Sequence, residues 1–279
     1  MVLEQILNNV HIKRHFIFIF LLAFSFVFIG YGVSTLFFGS SVSIAMLFTL
    51  TLLLSPSMAH LIANEEHIER KEGIHHFFRN HQAIFKVYFF TFLGVFVGFL
   101  ILGLVGEYYT TFEYQIKFLE NQQGLTTKLI EDFLQQGYTP SVENLAGLFS
   151  ENIKVLLITF VLAIFYGAGA NFLVALNASV FAAFLVFVIN YSSHLFSKMV
   201  GTIGVFMIHL IPEISGFFLA ALAGSLLSRA ILVEKFGTSG FSNILQDCCL
   251  LLAVAASFIL VGSILEVFVS SQLMRIVLG

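Results

Sequence analysis

A histidine and a glutamate lie inside one of the most apolar stretches of the chain. His209 and Glu213 flank Pro212, and neither residues 201–208 before them nor residues 214–224 after them include a charged side chain. An imidazole and a carboxylate are costly in lipid, so at membrane depth they must face protein or water, and they mark a candidate functional site. Such a pair could bind a proton, an ion or a polar substrate.

Two interpretations of this pair stay open at the level of sequence. If residues 209–213 are helical, His209 and Glu213 lie four positions apart on one face, close enough for a neutralising hydrogen bond. If Pro212 breaks the helix, the carbonyl of Ile208 loses its usual donor and needs a new partner. The pair is then either a structural plug that satisfies freed backbone groups or part of a polar cavity near the midplane.

Other polar residues are expected beside this pair in the folded protein. Asn171, Asn177 and His194 are the side chains that we place near it, as part of one polar site within the membrane. Gly167 and Gly169 would allow another backbone to approach closely. Asp247 and Glu266, near the ends of the last apolar run, are predicted to lie at the membrane interface instead.

A stripe of small residues follows Glu213 directly. Gly216, Ala220 and Gly224 repeat every four positions and therefore share one helical face. Small residues let helices approach closely in membranes, so this face is predicted to pack against another helix. Gly94 and Gly98 form a second such step, which either packs within one bundle or serves a dimer interface.

The composition determines the class of protein that must position these residues. The chain is 58% hydrophobic and 10% charged, with 35 Phe and a mean hydropathy of +0.97. Several apolar runs reach the roughly 20 residues that cross about 30 Å of hydrocarbon, which excludes a soluble fold. The sequence predicts an all-α, polytopic membrane helix bundle of six or seven spans. They are placed near residues 16–38, 42–62, 86–106, 154–176, 178–197, 201–232 and 247–270.

The run at 201–232 is too long for a simple straight crossing, so a broken or re-entrant helix at Pro212 is predicted. Three regions follow from the spans: N-terminal membrane helices over 1–106 with a loop at 63–85, an extracytoplasmic segment at 107–153, and a membrane core at 154–279. The outer segment is predicted to form an amphipathic helix around residues 125–134.

Basic residues near the helix ends set the expected orientation. They lie before the first run and around the 63–85 loop, which places the N-terminus in the cytoplasm of a multi-pass protein of the cell membrane. These residues are Lys13, Arg14, Arg70, Lys71, Arg79 and Lys86. No basic run suggests nucleic acid as a partner.

The sequence gives little support for an enzyme. No nucleophile or metal triad of known spacing is present, although an intramembrane hydrolase is not excluded. The loop ligands Glu66, His67, His75, His76 and His81 are of the right types for a metal but lack a zinc spacing such as H-E-x-x-H. We therefore predict no metal, no cofactor and no catalytic site.

Two blocks of the sequence resemble the stage II sporulation protein M family, especially its archaeal branch. One runs from residues 152–157 through 165–170 to 177–180, and the other joins His209 and Glu213, with three residues between them, to the small-residue run 217–224. Residues 65–98 are also similar to archaeal members. The resemblance implies a membrane helix bundle that assembles with other proteins. Bacterial members work in a membrane complex that recruits cell-wall-remodelling enzymes during engulfment.

The sequence thus leads to two functional hypotheses. The first is an integral membrane scaffold or assembly factor, a homo-oligomer and most readily a dimer, with a membrane or envelope protein as a further partner. The alternative is a transporter-like or channel-like protein with a polar midplane site at His209 and Glu213.

Overall fold

The computed structural model describes residues 16–56, 77–106, 108–123, 140–165, 169–191, 196–234 and 237–278. Their secondary structure is helical, as predicted. The helices are α1 (Phe16–Phe38), α2 (Val42–Pro56), α3 (Phe77–Val105), α4 (Tyr108–Gln123), α5 (Val142–Phe165), α6 (Gly169–Tyr191), α7 (Phe196–Val233), α8 (Ser239–Leu265) and α9 (Ser271–Leu278). A 3₁₀ turn (Gly39–Ser41) joins α1 to α2, and a π-helical turn (Glu266–Ser270) joins α8 to α9.

Six helices in this part of the chain are long and apolar enough to cross a membrane. They are α1, α3, α5, α6, α7 and the α8–α9 unit, and α2 is a shorter apolar helix among the described residues. Hydrocarbon offers no partners for backbone groups, so helices that satisfy them internally are the expected result for such runs. The protein is a multi-pass, all-α membrane bundle, and this prediction is confirmed.

The centre of the bundle is α7, which packs against α5, α6 and α8. Along α7 and α8, Ala223 contacts Cys248, His209 contacts Ser270, and a Cβ on Gly201 would meet Val277. Helix α7 and the α8–α9 unit are therefore antiparallel over their shared length.

The contacts also give the relative direction of two further pairs of helices. Glu213 of α7 contacts Asn152 of α5, and Gly224 backs onto Phe160 further along both helices, so α5 and α7 run the same way. Phe16 stacks on Phe90, with ring centroids 5.5 Å apart, and Gly98 of α3 backs onto Val27 of α1, so α1 and α3 are also parallel.

Pro212 does not break α7. The helix runs from Phe196–Val233 through the proline, so the predicted broken or re-entrant helix is wrong. Proline is tolerated in a membrane helix when neighbouring helices hold the chain and nearby hydroxyls bond to backbone carbonyls. Here α5, α6 and α8 pack along α7 and hold the chain in place.

Several predicted boundaries move. Helix α5 begins at Val142, so it crosses the expected boundary between 153 and 154, because its first turns are helical but too polar to read as part of an apolar run. Helix α6 begins at Gly169, which places Asn171 and Asn177 on α6 instead of on the same helix as residue 154. The predicted amphipathic helix at 125–134 lies outside the described residues.

Local signals explain where two of the helices start. Ser141 Oγ accepts a hydrogen bond from the N–H of Asn144 at 3.1 Å at the start of α5. At the start of α8, Thr238 Oγ1 accepts from the N–H of Phe241 at 3.3 Å, and Gly237 before it has a φ of 86°. Side-chain oxygens at these positions satisfy the first free N–H groups of a helix, and glycine tolerates the positive φ.

Candidate functional site

The polar centre of the bundle is a pair of glutamates from two different helices. Glu213 of α7 is 3% exposed, and its carboxyl group lies beside the carboxyl group of Glu266, at the start of the π-helical turn. An ionised carboxylate only accepts hydrogen bonds, so a hydrogen bond between two carboxyl groups requires a proton on one of them. Two carboxylates placed side by side repel each other, so this arrangement favours a proton on one of them.

A third helix contributes an amide to the pair. Asn152 Nδ2 of α5 donates to Glu213 Oε1 at 2.9 Å. Asn152 and Glu266 are both half-buried, so the site reaches the surface of the bundle where α5 and α8 meet. We call Glu213, Glu266 and Asn152 the carboxyl site.

The carboxyl site lies deep along the helices that carry it. Glu213 is near the midpoint of α7, about 25 Å from its start and about 30 Å from its end at 1.5 Å per residue. Asn152 is likewise near the middle of α5. Acidic residues near the middle of a membrane-spanning helix are typical of ion or proton pathways.

Close helix packing brings the two glutamates together. A Cβ atom on Gly262 of α8 would overlap Cγ of Glu213 and lie 3.3 Å from both the Glu213 nitrogen and the His209 carbonyl oxygen. One turn further along α7, a Cβ on Gly216 would lie 2.9 Å from the carbonyl oxygen of Ala255. Glycine at both positions lets α7 and α8 approach closely enough for their side chains to share a proton.

The π-helical turn sets the direction of the α8 side chains. It spans Glu266–Ser270, and its first residue meets Glu213 while its last meets His209. A π-turn inserts an extra residue into a helix and so rotates the side chains that follow it; such turns often occur at functional sites. Both ends of this turn therefore face α7.

His209 is fixed by a chain of hydrogen bonds. Its Nδ1 is 2.9 Å from Ser270 Oγ, and that hydroxyl donates to the carbonyl of Val205 at 3.3 Å. The serine proton is used in the second bond, so Nδ1–H of the imidazole donates in the first. His209 and Glu213 share a face of α7, but each binds a side chain from another helix.

The remaining predicted site residues are dispersed. Asn171 is buried on α6 and donates to Ser55 Oγ of α2 at 3.5 Å, away from the carboxyl site. Asn177 is half-buried on the same helix. His194 and Gly167 lie outside the described residues, as do the side-chain surroundings of Gly169.

The small-residue stripe contacts two helices. Gly216 faces α8, whereas Gly224 faces the Phe160 carbonyl and Ala163 of α5. Ala220 is fully buried between them along α7. The other step, Gly94 and Gly98, packs against α1 within the same chain.

Asp247 of α8 belongs to a different polar pair. Asp247 is fully buried, and its two carboxylate oxygens are 3.2 Å and 3.0 Å from Nε2 of His81 on α3. Asp247 and Glu266 both point into the bundle, towards His81 and Glu213, and their predicted level at the membrane interface stays a prediction. Of the loop residues weighed as metal ligands, only His81 is described, and no group of three His, Cys, Asp or Glu side chains lies together among the described residues.

A third polar group joins three helices. Ser43 Oγ of α2 donates to Gln115 Oε1 at 2.6 Å, and Gln115 Nε2 donates to Ser179 Oγ of α6 at 2.9 Å. Gln115 and the neighbouring Phe112 are fully buried, while Glu113 and Lys117 form an exposed pair at 2.6 Å. Helix α4 is thus amphipathic and anchored on the bundle.

Sequence reasoning missed two members of the carboxyl site. Glu266 stands alone between apolar residues, as Glu213 does, and the same rule about charges at membrane depth would have marked it. Asn152 gave a weaker signal, since a polar residue near the start of an apolar run is usual at a membrane surface.

The chain matches no protein-family model, no curated protein and no solved structure. The resemblance to the sporulation protein M family therefore stays a prediction.

Proposed function

We propose that the protein is a transporter-like protein of the cell membrane, with its N-terminus in the cytoplasm, in which Glu213 and Glu266 bind and release a proton. The observation that carries the proposal is the meeting of the two carboxyl groups where Gly262 lets α7 and α8 approach closely. Two carboxylates this close cannot both ionise without strong repulsion, so a change in their partners changes the number of protons that they hold.

The surroundings of the pair support reversible proton binding. Asn152 stabilises Glu213 in either protonation state, since its Nδ2 donates to the carboxyl oxygen at 2.9 Å. Asn152 and Glu266 are half-buried, so the pair is not sealed inside the bundle. A structural role alone does not require two acidic groups to meet.

Infrared spectroscopy of the purified protein in lipid tests proton binding without knowledge of a substrate. At neutral pH, the wild type should show the carbonyl stretch of a protonated carboxyl group, and Glu213→Gln or Glu266→Gln should lack it. Glu143→Gln is the matched control, because Glu143 is an exposed glutamate at the start of α5. A wild-type spectrum without the band would contradict the proposal.

Proton flux tests the transport part separately. Vesicles containing the protein and a trapped pH-sensitive dye are given a potassium gradient and valinomycin, and acidification is followed. Flux in the wild type and in Glu143→Gln, together with its loss in folded Glu213→Gln, supports transport. A protonated pair without flux, under any gradient and in either direction, would favour the second candidate.

The second candidate is a scaffold or assembly factor resembling stage II sporulation protein M, working as an oligomer with a membrane or envelope protein. One observation favours it: α4 is held on the bundle by Gln115 and presents Glu113 and Lys117 outward. Charge reversal at Glu113 and Lys117 should then abolish binding of the partner, whereas His209→Ala should chiefly lower stability. Unchanged partner binding in a folded Glu113→Lys, Lys117→Glu variant would count against it.

A further inference from the structure

Helix α5 has two faces of different character at the same depth. Asn152 points to Glu213 inside the bundle, while the opposite face carries Glu151 and Lys154, whose side chains are each 60% exposed. Lys154 Nζ and Glu151 Oε1 are 2.6 Å apart. Both residues are near the middle of a helix of 24 residues, at the level of the carboxyl site.

Lipid is a poor surrounding for this outer face. Charged side chains at membrane depth normally face protein or water, and here two of them stand exposed on the surface of the bundle. Only 17% of the apolar window of α5 is buried, the lowest share among the six candidate spans. Among the described spans, α5 is therefore the one that is covered least by its neighbours.

The same face is shaped for close approach by another helix. At helical spacing, Gly147, Ser150, Glu151, Lys154 and Ile158 form one stripe. A Cβ on Gly147 would meet nothing within 4 Å, so this glycine is not needed for packing within the chain. Small residues beside polar ones are typical of helix pairs in membranes.

We infer that this stripe of α5 binds a second copy of the chain as a parallel, two-fold symmetric dimer. The charges favour a second copy, because a two-fold axis through the stripe places Lys154 of one protomer beside Glu151 of the other and Glu151 beside Lys154. One face thus supplies both halves of two ion pairs. The dimer does not depend on proton binding, although it places the two carboxyl sites behind a common interface.

Disulfide cross-linking in native membranes tests the position of the interface. In a Cys248→Ser, Cys249→Ser background, Ser150→Cys and Ile158→Cys should each form dimers on oxidation. Leu36→Cys is the matched control, since Leu36 is 80% exposed on α1, which packs mainly against α3. Equal cross-linking at Leu36, or none at α5, would overturn the assignment.

Charge reversal tests the identity of the partner. Glu151→Lys and Lys154→Glu should each weaken the dimer by ~10-fold, as expected for the loss of polar contacts between membrane helices, and the double reversal should restore it. The dimer fraction is counted by single-molecule photobleaching in vesicles of fixed protein-to-lipid ratio. Arg275→Glu, at an exposed position of α9, is the control.

Three results would each contradict a second copy as the partner. They are a monomer at every protein density, a dimer that ignores the single reversals, and a double reversal that fails to restore it. The first would leave the face to lipid or to another protein, and the others would place the dimer interface elsewhere.

Discussion

The α8–α9 unit carries two acidic residues, and their partners in the bundle are of opposite kinds. Asp247 meets a base, His81, with both carboxylate oxygens within 3.2 Å of Nε2. Glu266, about 28 Å further along the helix, meets another acid, Glu213. An acid and a base can satisfy each other without exchange with solvent, whereas two acids need a proton from elsewhere. The first pair is therefore suited to holding α3 against α8, and the second to chemistry.

The largest expected effect comes from breaking the acid–base pair. His81→Leu leaves the carboxylate of a fully buried Asp247 without this partner, and removing one member of a buried pair typically costs about 3–5 kcal/mol. The free energy of unfolding, from denaturant titration in micelles, should fall by that order. His81→Leu combined with Asp247→Leu should recover much of the loss, and a double variant as unstable as the single would show that the pair does not act as a unit.

A smaller loss is expected where α7 and α8 touch at the acid pair. The new Cβ of Gly262→Ala would overlap Cγ of Glu213, so the helices must separate, at a cost of about 1–3 kcal/mol. The infrared signal of the shared proton should shift in the same variant, because the carboxyl groups move apart. Gly204→Ala on α7 is the control, as its Cβ enters open space, and an equal loss of stability there would refute the packing argument.

Amide substitutions distinguish the Glu213–Glu266 pair from the His81–Asp247 pair most directly. Glu213→Gln and Glu266→Gln keep the size and a hydrogen bond of each side chain, so each should change stability by less than about 1 kcal/mol while removing the proton-binding group. Asp247→Asn should cost more, because it loses a charge-assisted bond to His81. If the glutamine variants were the less stable ones, the acid pair would be the structural element and the assignment of roles would reverse.

Local sequence patterns predict the helices well and the pairs between them poorly. The span at 16–38 coincides with α1, since a long apolar run has few alternatives in lipid. The start of α5 was misplaced because Glu143, Glu151 and Lys154 make its first half polar. His209 and Glu213 were found from their rarity at membrane depth. Their partners Ser270 and Glu266 depend on how α7 and α8 pack and on a π-turn, which no local pattern specifies.

The smallest expected effect is at Pro212, where the sequence argued most strongly for a break. Because α7 is continuous, Pro212→Ala restores an N–H that can bond to the carbonyl of Ile208, and stability should stay equal or rise by about 1 kcal/mol at most. The free energy of unfolding measures this effect. A marked loss of stability would mean that the proline geometry itself positions Glu213. Proton exchange at the carboxyl site can be followed by infrared spectroscopy after transfer to deuterated water. Slower exchange with unchanged stability would mean that Pro212 helps the carboxyl site to move and does not stabilise its fold.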